Sequence, residues 1–361
     1  MGPRDEIMIT GGYGEVGGRI SVHLASRYPG RVVIAGRDGA RAAAMAERVS
    51  GQARGIALDV DDPAAVERAL AGVVLVANCV DLREPHLLRA ACDHGLAYTD
   101  VNAATQWRAA RALHSQAQRS GARIVIGTGI VPGISSAMAR AAADRIGPLA
   151  SVQTALLLSI GDAFGPASLE FLLAEAGQGW SVIEDAKERP VSFFSEGQSV
   201  LFPEPIGWRR AYRAPFADQF FYPQTLGVRS AAARLAIEPA WAGAAIAGLM
   251  RVGMGRWVAR DNIRAAIRRA VSRLHARSRG GDRFALVVEA RGAHGTFRAT
   301  LGGHVQAEAT AIASSLFARA LLEREIDQSG VWFPEEVIDP VRFFDRLREC
   351  ALGVDQSIVA D

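Results

Sequence analysis

Ile7-Met8-Ile9-Thr10-Gly11-Gly12-Tyr13-Gly14-Glu15-Val16-Gly17 is the stretch whose reading decides the fold. A short apolar run, suited to one strand, meets the pattern Gly12-Tyr13-Gly14-Glu15-Val16-Gly17, and a helix-like segment follows. Dinucleotide binding asks a different service of each glycine: a tight strand-to-helix turn, close backbone approach to a pyrophosphate, and close packing of helix on strand. The pyrophosphate then sits on N–H groups at the positive end of the helix dipole. The chain has 37 glycines, so the pattern by itself also fits a structural turn, and the neighbouring elements must decide.

Those neighbours alternate. Strands are expected at 7–10, 31–35, 53–58, 73–77, 97–99 and 123–126, and helices at 15–28, 39–49, 63–71, 84–94 and 103–120. Repeated βαβ units with right-handed crossovers make a doubly wound parallel sheet, a Rossmann domain, here over residues 1–148. The glycine loop falls at the first βα turn, where such a fold holds a nucleotide. Beyond Gly147-Pro148 the rhythm changes. Over 149–305 the patterns predict a strand at 151–159, a helix near 168–186, a Pro- and aromatic-rich stretch at 190–223 and a long helical region at 244–278. Strands at 284–291 and 296–301, joined by Gly292-Ala293-His294-Gly295, are expected to pair antiparallel. This is an α+β domain. Residues 306–361 are mainly helical to 349, with a break at Gly330–Pro334, and are expected to pack back on the first domain.

Composition bounds the function. The chain has 361 residues, 49% hydrophobic and 22% charged, with net charge +3, which suits a globular protein with two cores and gives no reason to expect a nucleic-acid partner. Arginine supplies nearly all the positive charge, Lys187 being the only lysine. Three cysteines, Cys79, Cys92 and Cys350, lack paired spacing and suit a reducing compartment. No leader is expected before Arg4-Asp5-Glu6, and no uncharged apolar run reaches the roughly 18 residues of a membrane span, so the expected location is the cytoplasm.

The cofactor residues expected from position are Gly11, Gly12, Tyr13, Gly14, Glu15 and Val16 in the loop, then the ends of later strands. NAD-specific folds hold the ribose 2′-OH with an acid about 20 residues past the loop. Here strand two ends in Gly36-Arg37-Asp38, with Arg37 at that distance. A guanidinium suits a 2′-phosphate, so NADP is expected over NAD, and the adjacent Asp38 leaves NAD as the alternative. Asp59 and Val60 after strand three are expected beside the adenine. Asn78, Cys79 and Val80 after strand four are expected near the nicotinamide ribose. Nothing near Cys79 in sequence would make it a reactive thiolate, and a small lining residue is the simpler reading.

Several segments together resemble the saccharopine dehydrogenase-like oxidoreductases: Gly11–Gly17, Ala35-Gly36-Arg37, the run Ala90–Asp100, Pro132-Gly133, and Gly330-Val331-Trp332-Phe333-Pro334-Glu335. The resemblance covers most of 6–146, returns at 306–349 and is thin between. It implies a nucleotide domain completed by C-terminal helices, with an inserted substrate and dimerisation domain, and therefore a homodimer. It also implies hydride transfer from NADPH to an unsaturated bond, often C=N of an amino-acid-derived imine. Val131 stands where imine-reducing relatives often carry Asp before the Pro-Gly. Other relatives reduce C=C in lipid or polyketide assembly and need no acid there.

Tyr98 and Asp100 end strand five, where crevice residues face ligand. Tyr98 is read as a proton donor and Asp100 as the group that orients it or binds a cation; the alternative makes Tyr98 a strand residue and Asp100 a helix N-cap. Thr128 and Gly129, in Gly127-Thr128-Gly129-Ile130-Val131-Pro132-Gly133, are expected near the nicotinamide, with Pro132 in the first helical turn. No pair of histidines has metal-ligand spacing, and no GxSxG, HExxH or Walker pattern anchors a hydrolase. Arg256, Arg260, Arg264, Arg268, Arg269, Arg273 and Arg277 make a basic helical stripe. It reads as a solvated face, or as a docking face for an acidic acyl carrier protein or an anionic membrane. The expected function is NADPH-dependent reduction of C=N on a small molecule. The alternatives are C=C reduction on a carrier-bound or lipid intermediate, and a redox-silent NADP-holding cyclase, isomerase or sensor.

Overall fold

Ile7, Met8 and Ile9 alternate across a strand yet are all apolar, as a strand covered by helices on both faces requires, and the computed structural model buries all three completely. The structure describes residues 5–49, 53–101, 107–159, 179–258 and 282–359, with positions 262, 263, 265, 267 and 269 in addition. Two units emerge: Met1–Ile134 with Ala307–Asp339, and Ser135–Gln306 with Pro340–Asp361.

The first unit begins β1 (Glu6–Thr10), α1 (Glu15–Arg27), β2 (Val32–Gly36), α2 (Gly39–Arg48), β3 (Ala53–Ala57), α3 (Pro63–Ala69), β4 (Val73–Asn78) and α4 (His86–Asp93). It continues through β5 (Ala97–Asp100), α5 (Trp107–Ala112), α6 (His114–Ser120) and β6 (Arg123–Ile126) to the start of α7 (Ile134–Ile146). All pairings are parallel, and β1 lies between β2 and β4. The chain runs outward from β1 to β3, then crosses back to β4 on the other side of β1. That reversal opens a crevice at the carboxyl ends of β1 and β4.

The second unit is built on β7 (Leu149–Ser159). The chain passes through β8 (Gly179–Glu184), β9 (Lys187–Ser192), β10 (Gln198–Phe202), β11 (Gly207–Arg213) and α8 (Asp218–Thr225). Then come β12 (Ser230–Glu238), α9 (Ala240–Arg251), α10 (Gly255–Val258), β13 (Arg283–Gly292) and β14 (Gly295–His304). β7 pairs parallel with β12 and antiparallel with β13, and Leu157, Val287, Phe202 and Ile206 close a core on one sheet face. The hairpin β13–β14 forms as expected.

Two expectations need correction here. Residues 179–184 of the helix expected at 168–186 are strand β8, paired with β9; 168–178 lie outside the described residues. The hairpin turns at Asp185 and Ala186 with φ of 52° and 62°, a type I′ geometry without its usual glycine, so no hairpin signal was present. Ala186 N–H donating to Arg229 O at 2.7 Å and Asp185 N–H to Ser230 Oγ at 2.9 Å hold it. The long helix expected at 244–278 starts earlier, at Ala240, and breaks at Gly253, whose φ is 78°. Most of 259–281, including Arg260, Arg264, Arg268, Arg273 and Arg277 of the basic stripe, lies outside the described residues.

The chain closes with α11 (Gln306–Leu322), β15 (Gly330–Trp332), α12 (Pro334–Val337), α13 (Pro340–Glu349) and β16 (Val354–Val359). α11 is tied to α1 by Glu308, which meets Arg19 at 2.8 Å and His23 at 2.7 Å. The break expected at 330–334 is in part a seventh strand: β15 pairs parallel with β6. Three residues are too few for a period, and side chains fix them instead, Arg111 and His114 meeting Val331 O at 2.7 and 2.9 Å. The expected grouping of all of 306–361 with the nucleotide domain divides. Residues 340–361 belong to the second unit, where β16 extends the sheet beside β14.

Candidate cofactor site

The glycine loop sits on the β1 side of the crevice and is closed to side chains. A Cβ on Gly11, whose φ is +67°, would lie 2.6 Å from Val80 Cγ1, and one on Gly12 would lie 2.8 Å from Ile9 O. On Gly17 it would stand 2.3 Å from Gly11 O, so the third glycine lets α1 close on the turn. Gly14 N–H donates to Gly11 O at 2.8 Å, fixing the turn itself. Gly14 is the N-cap of α1 and no side chain caps that end. A helix start left uncapped by side chains, behind a backbone that no Cβ obstructs, fits a dinucleotide pyrophosphate. Glu15 and Val16 form the first turn.

Tyr13 packs against the end of β2, where the sequence places the ribose 2′-position. A Cβ on Gly36 would meet Tyr13 Cε1 at 2.4 Å, so Gly36 makes room for that ring. The Tyr13 hydroxyl accepts from Asp38 N–H at 3.1 Å, and the Arg41 guanidinium lies over the ring, 4.5 Å from its centroid. Asp38 is the N-cap of α2, its carboxylate accepting from Arg41 N–H at 3.1 Å. That duty turns the one acid at this strand end toward its own helix. Arg37 is exposed and makes no ion pair among the described residues. Two guanidiniums, Arg37 and Arg41, thus flank one capping carboxylate, which suits a 2′-phosphate more than a bare ribose. Arg41 was not anticipated. Its signal was Asp38 as an N-cap, which places the residue three positions on in the first helical turn.

Asp59 and Val60 follow the edge strand β3; Asp59 is exposed and accepts from Asp61 N–H at 3.1 Å. Thr10, Asn78 and Asp100 are the aligned last residues of β1, β4 and β5. Thr10 Oγ1 donates to Asn78 Oδ1 at 2.6 Å, and Asn78 Nδ2 donates to Asp100 Oδ2 at 3.0 Å and to Val80 O at 2.9 Å. Tyr98 donates its hydroxyl to the same Asp100 oxygen at 2.9 Å. Thr10 was also missed, although it directly precedes the quoted loop.

From sequence, Tyr98 reads as a proton donor. It is wholly buried, and desolvation together with the charge of Asp100 pushes its phenol well above the usual range. A hydroxyl bonded to a carboxylate and hard to ionise suits holding Asp100 better than giving up a proton. The N-cap alternative for Asp100 falls on residues 102–106, outside the described residues. Cys79 is half-buried, with burial first and Asp100 second pushing its thiol well up, the opposite of an activated nucleophile.

Thr128 and Gly129 lie past β6. Thr128 N–H donates to Asp100 O at 2.9 Å, and its hydroxyl lies 3.1 Å from Ser314 Oγ of α11. Pro132 is not in the first helical turn. The Val131–Pro132 peptide is cis, and α7 starts at Ile134. Gly133, with φ of +125°, pairs back on Gly129, and a Cβ there would stand 2.0 Å from Gly129 O. Conformation accounts for that glycine.

The family model described as saccharopine dehydrogenase NADP binding domain matches residues 7–125. Among solved structures, the saccharopine dehydrogenase (L-Glu forming) of Saccharomyces cerevisiae is similar at 16% identity. That match covers 99% of this chain and 100% of that one, with a TM-score of 0.73, and shows a shared fold. GenD2 of gentamicin A biosynthesis, solved with NAD, aligns at 14% identity over 100% of this chain and 98% of its own, with a TM-score of 0.43. No curated protein matches the sequence. Residues 7–125 thus form an NADP-binding domain of the saccharopine dehydrogenase type, within a chain that shares the fold of the yeast enzyme throughout.

Proposed function

We propose that the chain is an NADPH-dependent reductase that delivers hydride to the C=N bond of an imine or a related small metabolite. The observation that carries the reading is the pairing of the side-chain-free Gly11–Gly17 loop with Arg37 and Arg41 beyond β2. When bound, NADPH supplies the hydride from its nicotinamide ring. The chain's part is to hold and orient. The first-turn amides of α1 take the pyrophosphate, and the two arginines take the 2′-phosphate. Asp100, held by Tyr98 and Asn78, offers a fixed carboxylate at the end of β5 for the positive charge of a protonated imine.

Val131 favours a second reading. An apolar, half-exposed side chain occupies the turn before Pro132, so no acid from that position reads a substrate ammonium. Reduction of C=C on a carrier-bound or lipid intermediate needs none. Both readings are tested with NADPH carrying deuterium at both C4 positions of the nicotinamide, offered against imines of oxo-acids with amino acids and against enoyl thioesters. Deuterium in the amine product supports the first, and deuterium in the saturated acyl product the second. Conversion of either substrate with all deuterium kept in the nucleotide would overturn both.

A further inference from the structure

We propose that α9 and the turn after it dock the second unit on an anionic lipid surface, lying in the interface rather than crossing it. The sequence of α9 and its exposure disagree with a helix facing water. From Ala240 to Met250 the chain has no charged side chain, and its only hydrogen-bonding one is the indole of Trp241. The helix packs inward through Ala242 and Gly243, the latter beside Ile237 of β12. Its other side stays outside. Trp241 is 64% exposed, Leu249 45%, Val252 72%, Met254 43% and Trp257 47%. A surface helix normally turns polar residues outward, and a contiguous exposed apolar strip marks an interaction site. Five large side chains on one short segment make such a strip.

Charge selects the occupant. Arg251 ends α9 and is exposed, and between 251 and 279 the sequence holds nine arginines against one acid, Asp261. A segment with so many arginines and one acid does not complement the charge of a second copy of itself. An anionic bilayer answers both features, since apolar side chains enter the headgroup boundary while arginines meet phosphates, each contributing roughly five-fold in affinity. Trp241 near the start of the uncharged run, and Trp257 beyond Arg251 and Arg256, suit that boundary. No described helix is long and apolar enough to cross a membrane. The inference stands apart from the reductase reading, because lipid binding is read without turnover.

Flotation of the full chain with vesicles tests it. Vesicles of phosphatidylcholine with phosphatidylglycerol should carry the protein, phosphatidylcholine alone should carry roughly ten-fold less, and high salt should release it. The double variant Leu249→Glu/Val252→Glu should lose roughly ten-fold or more in binding. It should still bind NADPH, which shows that it is folded. Absence of flotation with anionic vesicles would overturn the proposal, as would flotation indifferent to the double variant. It would also fall if the variant instead dissociated a dimer in sedimentation, or abolished binding to a purified acidic carrier protein, with lipid binding unchanged.

Discussion

Asp100 and Asp218 are both buried acids, and their neighbours give them different fates. Asp100 receives hydrogen bonds from Tyr98 and Asn78 on one oxygen. Tyr98→Phe removes one of these donors from a buried carboxylate, so it should cost about 1–3 kcal/mol, read as a lower urea midpoint. An unchanged midpoint would mean that the hydroxyl is not a partner Asp100 needs. Asp218 accepts from Thr154 Oγ1 at 2.8 Å, Ser135 Oγ at 3.2 Å and Gln219 N–H at 2.9 Å. All three favour the charged form. Complete burial outweighs them, and its carboxyl is pushed up to about 6 from an ordinary 3.8. The folded state therefore holds the proton more tightly than the unfolded one. Stability from this group is full below about pH 4 and falls as the pH rises to about 6, by about 3 kcal/mol in all. Glu196, held down to about 2 chiefly by Arg189, acts with the opposite sign at lower pH. The stability of the wild type relative to Asp218→Asn should therefore fall between pH 4 and 6; parallel curves would refute it.

At the scale of elements, α1 carries its own control. Alanine inside a helix ordinarily gains about 1 kcal/mol over glycine. At Gly17 the added Cβ would stand 2.3 Å from Gly11 O, a backbone atom that cannot yield without opening the turn. At Gly18 its nearest neighbour would be Met45 Cε, at 3.4 Å on a flexible side chain, with Gly12 O in ordinary contact at 3.8 Å. Gly17→Ala should weaken NADPH binding roughly ten-fold or more, and Gly18→Ala should leave it unchanged. Equal behaviour of the two would remove the packing role given to Gly17. The elements also show what sequence conveys. β1, β2 and β4 were legible because each is an apolar run ended by a polar or glycine turn. β15 and the β8–β9 hairpin were not: the first borrows its order from Arg111 and His114, and the second turns through Asp185 and Ala186 without glycine.

For the whole molecule, the nucleotide sheet was readable because each of its expected strands follows the last through a local crossover. The second sheet was not, since β7 finds its parallel partner β12 about eighty residues on, with Ser151 opposite Ser230. The site divides in the same way. Strand-end residues such as Asn78 and Asp100 follow from topology. Their partnership with Tyr98 and Thr10, and the complete burial of Tyr98, follow only from packing. Asp38 shows the limit most plainly: beside Arg37 in sequence it competes for the ribose, and in the fold it caps α2. The central claim is that this strand end reads a 2′-phosphate. Its most direct test is fluorescence titration of NADPH and NADH against the wild type and Arg37→Ala/Arg41→Ala. NADPH should bind the wild type roughly a hundred-fold more tightly than NADH, and the double variant should lose most of that preference with NADH affinity nearly unchanged. Equal affinity of the wild type for both nucleotides, or equal loss of both in the variant, would contradict the account.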